Sequence, residues 1–341
     1  MNLVLTQSDI NNSILSLFDE AKQYVLFQTM MTIFDTYLYS AIRNALHRNV
    51  EVYIILGISP FTDIPVFPDD LLSNPNLHFK FNPMMGDEYP INFSGIIYNQ
   101  VEPFRYYVNH IRFLCSDTTI FIGRIDYNVK LQTINYVQSG IIINEIDMYT
   151  TAKEIYDDVY SYLPISIRNM TLCFSHTNQT DIYNRLCYHI EQSKTDIFIE
   201  TQYINNTTLF HNNQLVNVLK NNGDNGVKIN ILTNKSYLTN PYIHGSKNWF
   251  KYPSNMFMEL VIIKHVNEIS SDNISVRYVK NGYTHNKVWI FDKKIIFIGT
   301  ANLDDRSLLS NRDYEIGVFI DDEILANTYL NHISTIQTTS F

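Results

Sequence analysis

The sequence predicts an α/β fold of two similar lobes related by a pseudo-twofold axis, each a mixed sheet flanked by helices. Helical and strand patterns alternate along the chain, and the same order of patterns returns at an offset of roughly 172 to 177 residues. Alternating helices and strands of this kind pack as helices on the faces of a sheet. Because the repeat is about half the chain long, we expect one lobe at residues 1–165 and the other at 166–341.

Each lobe shows the same order of predicted elements, which is helix, buried strand, helix, buried strand. The predicted helices cover 10–21 and 37–48 in the first half, and 182–192 and 215–221 in the second. The predicted strands cover 24–29, 50–56 and 77–81 in the first half, and 196–202, 227–232 and 274–279 in the second. A helix at 149–162 ends the first lobe. The segments 59–103 and 234–273 are too long for simple turns, so we expect each to lie over the functional site of the protein.

Composition restricts the class of protein. With 341 residues, 45% hydrophobic and 17% charged, the chain can fill two apolar cores. A net charge of −9 argues against broad, non-specific binding of nucleic acid, which needs a basic surface. The three cysteines, Cys115, Cys173 and Cys187, suit neither a disulfide framework nor a metal site. The N-terminus lacks a signal-peptide pattern and no run of apolar residues is long enough to span a membrane, so we expect a cytoplasmic protein with at most peripheral membrane contact.

The strongest chemical pattern lies between residues 284 and 320. His285 and Lys287 lie two apart at the start of a predicted strand, which places them on one face. Asp292 opens a predicted turn, and a second strand then ends at Gly299-Thr300 with Asn302 just beyond. A histidine, an ammonium and an amide that converge in this way suit a phosphate: the cation and the amide hold its oxygens, and the imidazole is available for chemistry.

The repeat predicts a second copy of this pattern in the first half, and a degraded one is present. His110, Arg112 and Asp117 match the first three positions, with arginine in place of lysine. The spacing from Asp117 to Gly123 is one residue shorter than that from Asp292 to Gly299, and Asp126 stands where the second half has an amide. Gln138 takes the place equivalent to Glu315. A carboxylate at position 126 would repel a phosphate unless the shortened loop turns it away.

The second-half pattern resembles the HxKxxxxD(x6)G[ST]xN signature of the phospholipase D superfamily, which also includes members from large DNA viruses. The following Asp305-Arg306-Ser307 and Glu315-Ile316-Gly317 are most similar to the cardiolipin synthase and bacterial phospholipase D branch. The resemblance implies the two-lobed phospholipase D fold and a phosphohistidine intermediate, without a metal or other cofactor. Since both motifs lie in one chain, a monomer would suffice for the active site.

The resemblance also implies a role for each residue. One histidine attacks phosphorus and the other protonates the leaving alkoxide, while Lys287, Arg112 and Asn302 hold the non-bridging oxygens. We expect Glu315 to orient His285, and Gln138 to orient His110 without supplying a charge. A less basic His110 is the better nucleophile, so we expect His110 to attack and His285 to act as the acid. The supporting residues are Asp117 and Asp292 under the turns, Gly299 and Thr300 in the loop, and Gln202 and Tyr203 at the pocket entrance.

Three functions remain open from the sequence. The leading one is cleavage or transfer of a phospholipid phosphodiester, which the acidic balance and the cardiolipin synthase-like second motif favour. The first alternative is a nuclease or a DNA nicking-joining enzyme of the same superfamily, which would need a basic groove. The second is a weakly active or non-catalytic membrane or virion protein. Viral envelope members anchor through a lipidated cysteine pair, and this chain has no adjacent cysteines.

Overall fold

The computed structural model describes most of the chain, with gaps. The described residues are 1–29, 32–57, 66–82, 108–123, 126–128, 136–144, 148–157, 164–176, 179–202, 204–205, 214–234, 269, 271–280, 282–308 and 313–340. Most of the two predicted cover segments, and Tyr203, lie outside these residues.

The first half forms a seven-stranded sheet. Its strands are β1 (Asn2–Val4), β2 (Tyr24–Thr29), β3 (Glu51–Gly57), β4 (Leu77–Asn82), β6 (Phe113–Ser116), β7 (Thr119–Gly123) and β9 (Gly140–Asn144). Their order across the sheet is β1-β9-β7-β6-β2-β3-β4. The β2, β3 and β4 strands run parallel to one another, and β6, β7 and β9 are antiparallel to their neighbours. The sheet is therefore mixed, as expected.

The second half forms an eleven-stranded sheet with the same central order. Its strands are β10 (Ile165–Ile167), β11 (Met170–His176), β12 (Gln179–Thr180), β13 (Asp196–Thr201), β15 (Lys228–Thr233), β16 (Ile274–Val279), β18 (Lys287–Phe291), β19 (Ile295–Gly299), β21 (Asp313–Asp321), β22 (Thr338–Ser340) and one strand from the first half, β5 (Val108–Asn109). The run β21-β19-β18-β13-β15-β16 repeats β9-β7-β6-β2-β3-β4. Two small ladders pair β14 (Ile204–Asn205) with β20 (Leu303–Asp304), and β17 (Tyr283–Thr284) with β8 (Tyr136–Val137).

The helices cover the sheets. They are α1 (Gln7–Glu20), α2 (Thr36–His47), α3 (Asp69–Leu72), α4 (Tyr149–Asp157), α5 (Asp181–Gln192), α6 (Gln214–Asp224), α7 (Asp305–Leu308) and α8 (Glu323–Ser334). Side-chain caps begin several of them: Thr6 accepts from the amide of Asp9, Asp35 from those of Tyr37 and Leu38, and Asp322 from that of Leu325. Such caps satisfy amides that have no partner within the helix.

Strand alternation divides the apolar side chains among three cores. One core joins the two sheets and contains Leu26 and Ile122 from the first half with Val288 and Ile298 from the second. The other two lie between each sheet and its outer helices, α1 and α2 on one side and α5 and α6 on the other. Residues 288 to 291 alternate strictly, since Val288 and Ile290 face the shared core while Trp289 and Phe291 face the outer one. The shared core brings the motif-bearing ends of the halves together.

The predicted fold class is confirmed: two related lobes, each a mixed sheet flanked by helices. The division at residues 165 and 166 stays a prediction, although β10 begins at Ile165 and pairs within the larger sheet. Among the described residues, no helix is both long enough and apolar enough to cross a lipid bilayer.

Candidate active site

His110 is held by the strand of the opposite half. The β5 strand pairs in parallel with the start of β21, and the His110 amide donates to the carbonyl oxygen of Tyr314 at 2.9 Å. The imidazole Nδ1 lies 3.0 Å from Glu315 Oε1 and 3.5 Å from Asp313 Oδ2. Both carboxylates are buried, with side chains 1% (Asp313) and 0% (Glu315) exposed, whereas the His110 side chain is 20% exposed. Since Nδ1 faces the carboxylates, Nε2 is the nitrogen that can meet a substrate.

This geometry corrects the predicted partner of Glu315. The sequence assigned Glu315 to His285, in its own half, but the structure pairs it with His110 across the interface. The reason is topological: β5 leaves the first lobe and pairs with the start of β21, the strand that carries Glu315. A repeat in the sequence aligns equivalent residues, but it does not show that the strands cross between the halves.

His285 is held by the opposite half in the equivalent way. The β17 strand pairs in parallel with β8, and the His285 amide donates to the carbonyl oxygen of Val137 at 3.1 Å. Gln138 follows Val137 just as Glu315 follows Tyr314, so by position Gln138 belongs to the His285 side. Its side chain is fully buried, and neither its oxygen nor its nitrogen has a hydrogen-bond partner in the part of the chain that the structure describes. The predicted orientation of His110 by Gln138 is therefore wrong.

Lys287 lies beneath His285, with its side chain turned back along the strand. Its Nζ donates to the His285 carbonyl oxygen at 2.8 Å and to Gln202 Oε1 at 3.4 Å. Gln202 in turn donates to the Tyr283 hydroxyl at 2.8 Å. The ammonium is buried, with Lys287 only 3% exposed. Gln202 thus contacts Lys287, and its predicted place at the pocket entrance stays a prediction.

Arg112 is engaged in a way that the sequence did not predict. Its Nε lies 2.9 and 3.0 Å from the two oxygens of Asp126, and its Nη1 donates to the His110 carbonyl oxygen at 2.8 Å. Asp126 is fully buried and also accepts from the Thr29 hydroxyl at 3.2 Å. The expected repulsion of a phosphate by Asp126 is therefore offset by Arg112. This ion pair was not predicted from the sequence, and the contact of Arg112 with phosphate oxygens stays a prediction.

We expect replacement of Asp126 by alanine to lower the free energy of unfolding by about 3–5 kcal/mol, because it leaves the buried Arg112 charge without its carboxylate. Urea unfolding of the wild-type and variant proteins measures the difference. The double variant Arg112→Met/Asp126→Leu, which removes both charges, should be less destabilised than Asp126→Ala alone. Equal stability of Asp126→Ala and the wild type would contradict the importance of this pair.

The loop after β19 is fixed to β21 next to Glu315. A Cβ on Gly299 would lie 2.6 Å from Phe297 Cζ and 2.7 Å from the Ile316 carbonyl oxygen, so only glycine fits there. The Thr300 amide donates to the Ile316 carbonyl oxygen at 2.8 Å, and the Ile316 amide donates to Thr300 Oγ1 at 3.0 Å. Asn302 follows within this loop and is 3% exposed. These contacts fix the start of the loop that carries Asn302 to the strand that carries Glu315.

The two motif aspartates bond backbone amides at the far ends of the strands. Asp117 Oδ1 accepts from the amides of Lys22 and Gln23 at 2.9 and 3.2 Å. Asp292 accepts from the amides of residues 194, 195 and 196 and from the Thr195 hydroxyl. Burial alone would raise the pKa of the Asp292 carboxyl, but these hydrogen bonds outweigh it and hold the pKa below its usual value. These contacts fit the supporting role that the sequence indicated.

We expect Asp292→Asn to lower the free energy of unfolding by about 2 kcal/mol at pH 7, since the amide binds the backbone donors less strongly than a carboxylate. The pKa of Asp292 is depressed by folding, so its stabilisation is present above its unfolded pKa of about 3.9 and is lost as the pH falls through the folded value. The difference between wild type and variant should therefore shrink below about pH 4. Unfolding at several pH values measures this, with Asp321→Asn, on an exposed carboxylate, as the control.

Asp313 and a buried group around Glu200 were not predicted from the sequence. Asp313 lies two residues before Glu315 on β21, and strand alternation could have placed both carboxylates on one face. His110, Asp313 and Glu315 have ligand atoms within 4.8 Å of one another, so this set could also hold a divalent cation. Glu200 is fully buried and accepts hydrogen bonds from Thr284, Asn286 and Tyr329.

Comparison with known proteins identifies a family that matches part of the chain, and several relatives. Residues 186–336 match a family model described as the PLD-like domain of cardiolipin synthase. Phospholipase D zeta 2 of Arabidopsis thaliana is 47% identical over 49 residues, which are 14% of this chain and 5% of that protein. Cardiolipin synthase 2 of Staphylococcus epidermidis is 32% identical over 72 residues, which are 21% of this chain and 14% of that protein. The matched segments thus span a small part of either relative.

A solved structure extends the likeness to the whole chain. The crystal structure of phosphatidylserine synthase from Haemophilus influenzae Rd KW20 superposes with a TM-score of 0.61 over 99% of this chain and 87% of that one. The sequence identity is 14%, so the superposition shows a shared fold and no more.

Proposed function

Because the chain carries a domain of the phospholipase D superfamily, we propose that it cleaves or transfers a phospholipid phosphodiester through a phosphohistidine at His110. The observation that carries the proposal is the crossed arrangement of the two histidines. Each is bonded through its amide to a strand of the other half, and the two sheets share one core between them. This arrangement suits one imidazole on each side of a single phosphorus atom.

His110 is the nucleophile in this proposal, for a reason that differs from the one suggested by the sequence. Attack by Nε2 on phosphorus forms a P–N bond and leaves a positive charge on the ring, since Nδ1 keeps its proton. Glu315 at 3.0 Å and Asp313 at 3.5 Å stabilise that charge and hold the ring in the attacking tautomer. The assignment of attack to His110 is retained, but its basis is the presence of carboxylates rather than their absence.

His285 is the general acid in the same step. As the P–O bond to the leaving alcohol breaks, its electron pair stays on oxygen, which takes a proton from the His285 imidazolium. The His285 amide bonds the carbonyl oxygen of Val137, and the residue after Val137 is the neutral Gln138. The Lys287 ammonium donates to the carbonyl oxygen of His285. The positive charge of Lys287 favours release of the proton.

The second step reverses the roles. Neutral His285 accepts a proton from water or an alcohol, whose oxygen attacks phosphorus, and the P–N bond breaks with its electron pair returning to His110. Water yields a phosphatidic acid, and an alcohol yields a new phosphodiester. Lys287 and Asn302 stabilise the charge on the non-bridging oxygens in both transition states.

The lipid substrate class is supported by the names of the sequence relatives, which are phospholipases D and cardiolipin synthases. It is also supported by the acidic chain, whose net charge of −9 disfavours a polyanionic nucleic acid.

Purified protein incubated with labelled phosphatidylcholine, phosphatidylglycerol and single-stranded DNA tests the proposal. We expect head-group release or transfer from a lipid by the wild type, and its loss in His285→Ala. His47→Ala, which removes an exposed histidine on α2, is the matched control and should keep the activity. Cleavage of DNA alone would replace the lipid proposal with the nuclease alternative, and the absence of any turnover would favour a non-catalytic protein.

A further inference from the structure

A buried carboxylate lies directly behind His285. Glu200, on β13, is fully buried and accepts hydrogen bonds from the Thr284 hydroxyl, from Asn286 Nδ2 at 3.2 Å and from the Tyr329 hydroxyl at 2.6 Å. Thr284 and Asn286 are the two neighbours of His285 in the chain. One carboxylate therefore bonds the side chains of both residues that flank the histidine.

The same group reaches the opposite half through Tyr329. The Tyr329 hydroxyl, from α8, lies 3.4 Å from Ser139 Oγ and 3.1 Å from Asn286 Nδ2. Ser139 is two residues beyond Val137, whose carbonyl oxygen accepts from the His285 amide. Glu200 thus connects the segment that carries His285 with the segment that holds it.

The charges in this group are arranged for a fixed geometry. Burial raises the pKa of the Glu200 carboxyl, while the three hydrogen bonds and the charge of Lys287 oppose the rise. Burial and the nearby Glu200 raise the pKa of Tyr329 well above its usual value, so its hydroxyl stays protonated and donates. Hydrogen bonds that link several buried polar groups restrict the movement of each group.

The first half lacks this arrangement. Glu200 lies opposite Val288 in the β13–β18 ladder, and Gln28 lies opposite Phe113 at the equivalent point of the β2–β6 ladder. Gln28 is fully buried, but neither of its side-chain polar atoms has a hydrogen-bond partner among the described residues. Among the described residues, the hydrogen-bonded group around a buried carboxylate is therefore present in the His285 half and not in the His110 half.

We propose that Glu200 is a positioning residue that holds His285 in the geometry for proton transfer, through Thr284 and Asn286 on its own strand and through Tyr329 to Ser139 of the other half. The role in proton transfer rests on the proposed function, whereas the role in positioning does not. A small displacement of a catalytic group is enough to slow a reaction by about 10²-fold.

Glu200→Gln tests the proposal, since it keeps the side-chain volume and removes the carboxylate. With a natural lipid diester we expect kcat to fall by about 10–100-fold, with KM changed by less than about threefold. Tyr329→Phe, which removes only the hydroxyl, should give a smaller loss of the same kind. Gln28→Leu is the matched control at the equivalent buried position and should leave both constants unchanged.

A spectroscopic measurement separates positioning from mere stability. In two-bond ¹H–¹⁵N spectra of the histidine rings, assigned with His285→Ala, the His285 signals should shift in Glu200→Gln and stay in place in Gln28→Leu. Unchanged His285 signals and unchanged kcat in folded Glu200→Gln would overturn the proposal, as would an equal loss in Gln28→Leu. If Glu200→Gln does not fold, Tyr329→Phe decides by the same two readouts. If the wild type turns over no diester, the proposed function fails, and the ring signals still decide whether Glu200 positions His285.

Discussion

Replacement of Glu315 by glutamine is expected to lower kcat by about 10²–10⁴-fold with little change in KM. Glu315 Oε1 lies 3.0 Å from His110 Nδ1 and is fully buried, so its charge acts on the ring with little screening by water. A glutamine can still accept one hydrogen bond, but it cannot stabilise the positive charge that the ring gains when Nε2 bonds to phosphorus. Steady-state rates with a natural lipid diester measure the effect.

The control for this prediction is Glu323→Gln, an exposed glutamate at the start of α8, which should leave kcat unchanged. Asp313→Asn should reduce kcat less than Glu315→Gln, because Asp313 lies 3.5 Å from the same nitrogen rather than 3.0 Å. A wild-type rate in Glu315→Gln would refute the pairing of Glu315 with His110 as a catalytic contact. A larger effect from Asp313→Asn would refute it as well, since Asp313 lies farther from His110 Nδ1 than Glu315 does.

His285→Ala is expected to trap the phosphohistidine when the leaving group needs no acid. With a p-nitrophenyl phosphodiester, the alcohol leaves as a stable anion, so attack by His110 should still give a rapid burst of about one equivalent of p-nitrophenol. Discharge should then be slower than in the wild type by about 10²–10⁴-fold, because no base activates the water. Stopped-flow absorbance measures the burst, and peptide mapping of the acid-labile phosphate locates it.

The companion variant is His110→Ala, which should show neither a burst nor labelled peptide with the same substrate. Phosphate found on a peptide that lacks His110 would overturn the assignment of the nucleophile. With a natural lipid, whose alkoxide needs a proton, His285→Ala should show no burst. A burst with both substrates would mean that His285 is not the acid.

The local chemistry of this chain was readable from residue patterns alone. Alternation of apolar residues marked the strands around Val288 and Ile298, and the repeat predicted two related lobes. The spacing of His285, Lys287 and Asp292 in one half, and of His110 and Asp117 in the other, placed each histidine at a strand end and each aspartate at a turn. These features depend on neighbours in sequence, which is why a sequence reveals them.

The partnerships across the halves were not readable in this way. Glu315 was assigned to the histidine of its own half, because the two halves were treated as separate copies of one motif. In the structure β5 of the first half pairs with the start of β21 of the second, and His110 therefore meets Glu315.

The sequence by itself determined the two α/β lobes, the two histidines, and the turns and loops that carry them, because each follows from local periodicity and spacing. Only the tertiary structure decided which charges meet. Side chains about two hundred residues apart, such as His110 and Glu315, come within 3.0 Å only because the two sheets pack together and β5 of the first half pairs with the start of β21. The electrostatic difference between the two histidines arises at that contact.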